Sequence, residues 1–220
     1  MSIFEEIYKG LQLGNAKAVE VKTREALESG VEPQLILDQA LIASMAEVGE
    51  KFKNGEIFLP EVMMAARAMQ AALNSLKPKL IESGVKPIGT VVIGTVKGDQ
   101  HDIGKNLVSM MMMGAGIEVI DLGTDVPVEK FIDAIRENQP QVLALSALLT
   151  TTMNQQRVVI DELKKAGLRD KIKIMVGGAP VTESFAKEVG ADAYSAEAGS
   201  AAQKARELIE LIKLNQGFEL

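Results

Sequence analysis

The chain contains no cysteine and no tryptophan, and a single histidine among 220 residues. Without thiols there are no disulfides, no thiolate zinc sites and no cysteine-held iron–sulfur clusters. One imidazole also serves zinc poorly, since carboxylates would have to supply every other ligand. Basic residues number 24 against 30 acidic ones, and the net charge of -6 argues against a general nucleic-acid-binding face. No apolar run approaches the roughly 20 residues a membrane-spanning helix needs. The opening Met1-Ser2-Ile3-Phe4-Glu5-Glu6 has neither the basic stretch nor the apolar core of a secretory signal, so the expected location is the cytoplasm. What the chain does have is 47% hydrophobic residues, ample for the core of one large domain or two modest ones.

Up to about Glu82 the pattern is helical. Ser2 is placed to cap a first helix with Ile3, Ile7 and Leu11 on one face, and Asn15 a second carrying Val19, Val21 and Leu27 and stopped by Gly30. Pro33 opens a third helix through Leu35, Leu37, Leu41 and Met45 to Asn54-Gly55, and Pro60 opens a fourth, from Glu61 through Leu76 or somewhat beyond. Four helices with short connections predict a bundle. From Pro87 the texture changes to short β-branched runs at Thr90–Gly94, Glu118–Asp121, Val142–Ser146, Lys173–Val176 and Asp192–Tyr194. Helical stretches alternate with them near Gly104–Gly114, Val128–Asn138, Thr152–Ala166, Val181–Val189 and Ser200–Leu214. Five such units predict a doubly wound, flavodoxin- or Rossmann-like α/β domain with a five-stranded parallel sheet. The expected division is therefore a helical cap with linker over 1–86 and the sheet domain over 87–220, with Lys77–Pro87 as the interdomain linker.

The histidine, His101, lies in Gly98-Asp99-Gln100-His101-Asp102-Ile103-Gly104, on the loop leaving the first strand. Such loops sit at the carboxyl ends of the strands, where doubly wound sheets bind ligands. An aspartate two residues before a histidine can hold its far ring nitrogen and fix its tautomer. A glycine three residues after it lets something bulky approach the backbone. Two more loops on the same edge stand out: Ser146-Ala147-Leu148 with Thr150-Thr151-Thr152, and Gly177-Gly178. Taken singly, each has a plainer reading. His101 is a polar loop histidine, the serine and threonines are helix caps, and the glycines are a turn. Met110–Met113 read as flexible core filler.

Together the three elements resemble the cobalamin-binding fingerprint: Asp-x-His-x-x-Gly, then Ser-x-Leu after 41 residues, then Gly-Gly after 28 more. Val48-Gly49-Glu50-Lys51-Phe52 and Gly55-Glu56-Ile57-Phe58-Leu59-Pro60-Glu61 resemble the helical cap of methyl-carrying corrinoid proteins. The resemblance spans nearly the whole chain. It points to the small corrinoid proteins of anaerobic methyltransferase systems, relatives of the cobalamin module of methionine synthase.

The resemblance implies a role for each position. His101 is the lower axial ligand of cobalt, replacing the cofactor's own base, with Asp99 and Thr152 completing a hydrogen-bonded relay. Gly98, Gln100, Asp102, Ile103 and Gly104 complete the binding loop. Ser146, Leu148 and Thr150 meet the displaced nucleotide tail, Gly177 and Gly178 keep its slot open, and Ala198 closes over its far end. Phe58, Met63 and Met64 are the candidates for covering the methyl face of the corrin. The implied cofactor is cobalamin, cycling between methylcobalamin and cob(I)alamin, and the implied partners are three. A donor-specific methyltransferase delivers the methyl group, a tetrahydrofolate-type methyltransferase removes it, and a reductive activator rescues oxidised cobalt. The chain alone then completes no turnover, and Leu76–Pro87 is the expected hinge through which both partners gain access. The donor stays open among methanol, methylamines, quaternary amines and phenyl methyl ethers, with methoxylated aromatics slightly favoured. Two competing readings share the fingerprint: a cobalamin-dependent sensor or regulator, expected to carry a DNA-binding domain, and the cobalamin subunit of a mutase, expected to lack the helical cap.

Overall fold

A computed structural model of the protein describes residues 2–84 and 86–217. These fall into two compact units, one running to Pro87 and including Gly114–Gly116, the other holding Ile88–Met113 and continuing from Ile117.

The first unit is helical. Helix α1 (Ile3–Gln12) opens with a reciprocal cap in which the Ser2 hydroxyl accepts from the Glu5 N–H and the Glu5 carboxylate from the Ser2 N–H. Asn15 caps α2 (Ala16–Glu28) through the Ala18 N–H. The buried stripe of α2 is Val19, Thr23 and Ala26, while Val21 is exposed. The single third helix expected from Pro33 is three consecutive stretches: α3 (Pro33–Leu35), a π-helical run (Ile36–Ile42) and α4 (Ala43–Lys53). The reason lies in the spacing of its buried residues. Ile36, Ala40, Ser44 and Val48, and beside them Leu37, Leu41 and Met45, recur every four residues. An α-helix turns once per 3.6 residues and would rotate such a stripe off the core, whereas a wider π turn keeps it facing inward.

Helix α5 (Leu59–Glu82) has Pro60 in its first turn and a Glu61 carboxylate accepting from the Phe58 N–H. It buries Val62, Ala65, Ala66, Met69, Ala72 and Leu76 along one side. This helix corrects the expected linker, because it continues through Lys77-Pro78-Lys79 to Glu82. An internal proline forfeits one backbone hydrogen bond. Here the fully buried Leu76 secures the turn ahead of Pro78, and Leu80 and Ile81 extend the helical run behind it.

The second unit contains strands β1 (Thr90–Thr95), β2 (Glu118–Asp121), β3 (Val142–Ser146), β4 (Lys173–Gly177) and β5 (Ala193–Ser195), all parallel, in the order β2-β1-β3-β4-β5. Helices α6 (Ile103–Gly114), α7 (Val128–Asn138), α8 (Asn154–Lys165), α9 (Glu183–Val189) and α10 (Ala198–Gly217) connect and follow them. This is the doubly wound fold expected from the alternating pattern. Right-handed crossovers put α6, on the one connection that runs toward β2, opposite α7, α8 and α9. Val92, Leu143, Leu145, Ile174 and Val176 form one sheet face under Phe131, Ile160, Leu163 and Phe185. Gly94 leaves room for the Phe131 ring, 2.8 Å from where a Cβ would lie. On α6, Met111 and Met112 are buried, in keeping with core filling. The chain reverses its winding direction between β1 and β3, and the crevice above those two strand ends is the ligand-binding position of this topology.

Candidate functional site

The loop leaving β1 is built around a buried carboxylate. Asp99 has no exposed surface, yet it accepts four hydrogen bonds. Its Oδ1 takes the His101 backbone N–H at 3.0 Å and His101 Nδ1 at 2.7 Å. Its Oδ2 takes the Leu148 N–H at 2.7 Å and the Thr152 hydroxyl at 2.6 Å. Burial alone pushes this carboxyl group's pKa up, but the bonds from Thr152, from the Leu148 N–H and from His101 outweigh it and hold the group well below the usual carboxylate range.

An ionised carboxylate only accepts hydrogen bonds, so the proton of neutral His101 resides on Nδ1 and the lone pair on Nε2. Among the described residues nothing hydrogen-bonds to Nε2, and the side chain is 49% exposed. The same strand-end loops expose apolar side chains beside polar ones: Ile103 is 66% exposed, Leu148 42% and Leu149 41%. Among the described residues no three histidine, aspartate or glutamate side chains converge to hold an ion. One free imidazole nitrogen on an apolar shelf therefore suits a metal whose remaining positions are filled by its own flat macrocycle. The residues present fit a corrin.

The sequence-identified residues are distributed as follows. Gly98, Asp99, Gln100, His101 and Asp102 form the loop after β1, and Ile103 and Gly104 begin α6. Gln100 accepts from the Thr124 hydroxyl at 3.3 Å, and Asp102 accepts from the Asn106 side chain at 3.0 Å, so neither joins the Asp99 cluster. Ser146 ends β3, where its carbonyl accepts the Val96 N–H at 3.0 Å and ties β3 to the start of the His101 loop. Leu148 and Thr152 reach Asp99, while Thr150 is exposed on the same loop.

Thr152 is buried and turned to Asp99 and the Leu149 carbonyl. It does not begin or cap the next helix, which starts at Asn154 with no side-chain cap. Gly177 ends β4 beside Ser195, and Gly178 follows with φ +121. A Cβ on Gly178 would lie 1.8 Å from the Ala147 carbonyl oxygen, and one on Gly177 would lie 3.1 Å from that of Ser195. Gly178 is thus required by its left-handed backbone and by packing against the Ala147 carbonyl, a reason that spacing alone does not supply, while Gly177 is only tightly placed beside Ser195. Ala198, buried, opens α10 just beyond β5. Phe58, Met63 and Met64 belong to the helical unit at the start of α5, with Phe58 and Met64 exposed and Met63 half-buried.

Three contributors escape a reading of side-chain motifs. The Leu148 donor to Asp99 is a backbone N–H, which carries no residue signature. Thr95, fully buried at the end of β1, donates its hydroxyl to the His101 carbonyl at 2.9 Å. Asp125, on the loop after β2, accepts the Gly98 N–H at 2.7 Å. A hydroxyl directly after the apolar run Val91-Val92-Ile93-Gly94, as in Thr95, is the one sequence signal that could have found any of them.

Comparison with known proteins agrees with this geometry. Residues 3–77 and 89–206 each match a family described as a B12 binding domain. A trimethylamine corrinoid protein of Methanosarcina barkeri is 47% identical over 184 residues, covering 83% of this chain and 85% of its own. A dimethylamine corrinoid protein of the same organism is 49% identical over 187 residues, covering 84% and 87%. Among solved structures, the methanol:cobalamin methyltransferase complex MtaBC of Methanosarcina barkeri contains a chain that superposes with a TM-score of 0.84. That match is at 36% identity and covers 94% of this chain and 80% of that one. A cobalamin-binding protein from Desulfitobacterium hafniense DCB-2 gives a TM-score of 0.76 at 32% identity, covering 93% and 98%.

Proposed function

Since this chain belongs to the B12-binding corrinoid proteins, its cofactor is a cobalamin, and we propose that it carries methyl groups with His101 as the lower axial ligand of cobalt. Bound cobalamin supplies a cobalt centre that accepts a methyl group and gives it up again. The observation carrying the ligand assignment is the Asp99 knot, which leaves His101 Nε2 as the only unpartnered nitrogen of the ring.

In this reading Thr152 and the Leu148 N–H hold Oδ2, so that Oδ1 is aimed at His101. Asp99, kept ionised, holds the proton on Nδ1 and directs the lone pair of Nε2 outward. Axial ligand and outer hydrogen bonds are the levers by which a protein tunes a cofactor metal. The exposed Ile103, Leu148 and Leu149 give the corrin an apolar seat. Ser146, Thr150, Gly177, Gly178 and Ala198 line the path assigned to the nucleotide tail, and Phe58, Met63 and Met64 serve the methyl face.

The similarity to trimethylamine and dimethylamine corrinoid proteins supports a methylated amine as the methyl donor, ahead of the methoxylated aromatics that the sequence slightly favours. A donor-specific methyltransferase delivers the methyl group. A tetrahydrofolate-type methyltransferase receives it, and a reductive activator restores oxidised cobalt. No helix among the described residues is long and apolar enough to cross a membrane.

The test is reconstitution with hydroxocobalamin, removal of free cofactor and comparison with His101→Ala. Stoichiometric red protein whose methylated form shows a histidine-ligated spectrum, lost in the variant, is expected. A colourless wild type overturns the reading. The donor is tested by adding methyltransferases for trimethylamine, dimethylamine, methanol and a methoxylated benzoate in turn. Demethylation that requires this protein only with the benzoate would displace the amine assignment.

A further inference from the structure

The loop between β2 and α7, residues 122–127, contains no residue of the fingerprint, yet it frames the His101 loop from the side. It extends the β1–β2 ladder beyond the end of β2: Leu122 N–H to the Ile93 carbonyl at 2.8 Å, Thr95 N–H to the Gly123 carbonyl at 2.9 Å, and Val126 N–H to the Thr95 carbonyl at 3.0 Å. Its far side is tied down by Asp121, which accepts the Gly123 N–H at 2.9 Å and pairs with the buried Lys105 of α6.

From this frame one residue grips the chain on both sides of Asp99. The Asp125 carboxylate accepts the Gly98 N–H at 2.7 Å, and the Asp125 N–H donates to the Asp99 carbonyl at 2.8 Å. Next to it, the Thr124 hydroxyl donates to the Gln100 side chain at 3.3 Å. Asp125 does this from a left-handed backbone conformation, φ 52. That conformation is strained for non-glycine residues, with aspartate and asparagine tolerating it best. Glycine would remove the strain but has no carboxylate to offer Gly98.

We infer that Asp125 is a positioning residue for the cobalt ligand: by bracketing Gly98 and Asp99 it sets the angle at which Asp99 presents His101 Nε2. The inference rests on the ligation proposed above. It names a residue outside the relay and on a different loop, acting on the peptide groups that flank Asp99 and not on the imidazole itself.

The experiment compares wild type with Asp125→Gly and Asp125→Asn. The glycine variant relieves the backbone and deletes the acceptor; the asparagine variant keeps Oδ1 and tolerates the left-handed conformation. Two quantities are read: amide hydrogen exchange at Gly98 in the apoprotein, and nitrogen superhyperfine splitting in the electron paramagnetic resonance spectrum after loading with cob(II)alamin. For Asp125→Gly, Gly98 exchange should rise and the ratio of histidine-ligated to unligated cobalt should fall, each roughly fivefold, as for one lost hydrogen bond. Cobalamin should still bind stoichiometrically, and Asp125→Asn should behave as wild type in both readouts. Ligation unchanged in Asp125→Gly, or lost in a folded Asp125→Asn, overturns the inference and leaves His101 as ligand. Absence of nitrogen splitting in the wild type itself overturns the ligation reading, and the inference with it.

Discussion

Each unit of the protein contains a carboxylate held well below its ordinary pKa, and the two are held by different means. In the helical unit, Glu47 of α4 is half-exposed, and its pKa is lowered to about 2 by the Lys51 ammonium at 2.6 Å and by the hydroxyl of Tyr8 on α1. In the sheet unit, Asp99 is fully buried and has no lysine or arginine on it; its donors are two backbone N–H groups, one hydroxyl and one imidazole. Glu47 is a strut between neighbouring helices, of the kind many residue pairs can provide. A buried anion stabilised only by oriented dipoles is costly to assemble, and the fold alone does not call for one. What Asp99 does that Glu47 does not is present an imidazole with its outer nitrogen free. The difference separates a carboxylate that ties helices together from one that holds an imidazole in place.

The strongest way to break the comparison is Asp99→Asn. The amide keeps the shape but turns one acceptor oxygen into a donor facing the Leu148 N–H and Thr152 side or the His101 side. A loss of about 3 kcal/mol in unfolding free energy is expected from the buried unmatched donors. Histidine ligation should disappear with it, as read by denaturant unfolding and by the spectrum of the reconstituted protein. If stability and ligation both survive, Asp99 is no different in kind from Glu47.

Gly178→Ala comes next. Its Cβ has no space beside the Ala147 carbonyl, and Ala147 directly precedes the Leu148 N–H that holds Asp99. Backbone strain plus a backbone clash should cost on the order of 2–3 kcal/mol, a fall in melting temperature of roughly 10 °C. Cobalamin retention on gel filtration should fall in parallel. Unchanged melting would show that the strand-end loops tolerate displacement and that the Asp99 knot is less rigidly framed than its distances indicate.

Thr152→Val removes one of the four donors while keeping the side chain's shape. About 1.5 kcal/mol of stability should be lost, as for a hydrogen bond to a charged group. The remaining three donors should keep Asp99 ionised, so histidine ligation should be weakened but retained. Complete loss of ligation in Thr152→Val would mean that the relay works only as an intact set.

Much of the sheet unit was legible in advance because its signals are local. Short β-branched runs locate all five strands to within a residue or two, and the alternation of strands with helices implies the doubly wound sheet that brings Asp99, Thr152 and Gly178 to one edge. The helical unit was legible in outline and misread in phase. The four-residue recurrence from Ile36 to Val48 was compatible with an α-helix until the burial of Ser44 and Val48 showed that it needs a π turn. Pro78 reads as a break, yet the helix continues through it to Glu82. Contacts made by backbone groups were illegible for a different reason. The Leu148 N–H and the Asp125 clamp depend on how separate strand ends meet, which no single residue type records.

The smallest effect sharpens the comparison from the helical side. Glu47→Gln leaves an acceptor for Tyr8 and removes the charge that pairs with Lys51. Because the folded-state pKa of Glu47, about 2, lies below its ordinary value of 4.5, the ionised form is favoured by folding. Its contribution is complete above about pH 4.5, shrinks as the pH falls from there toward 2, and is absent below. Tyr8, raised above 10 chiefly by its hydrogen bond to Glu47, has the opposite sign: its contribution is present below pH 10 and lost on going higher. The melting temperature of Glu47→Gln should therefore lie slightly below that of wild type between pH 5 and 8, by less than for Thr152→Val, and the gap should close on acidification to pH 2. Throughout, the cobalamin spectrum at neutral pH should be that of wild type. A constant gap from pH 8 to pH 2 would remove Glu47's ionisation as the cause, and a shifted spectrum would mean that the two carboxylates are coupled across the molecule.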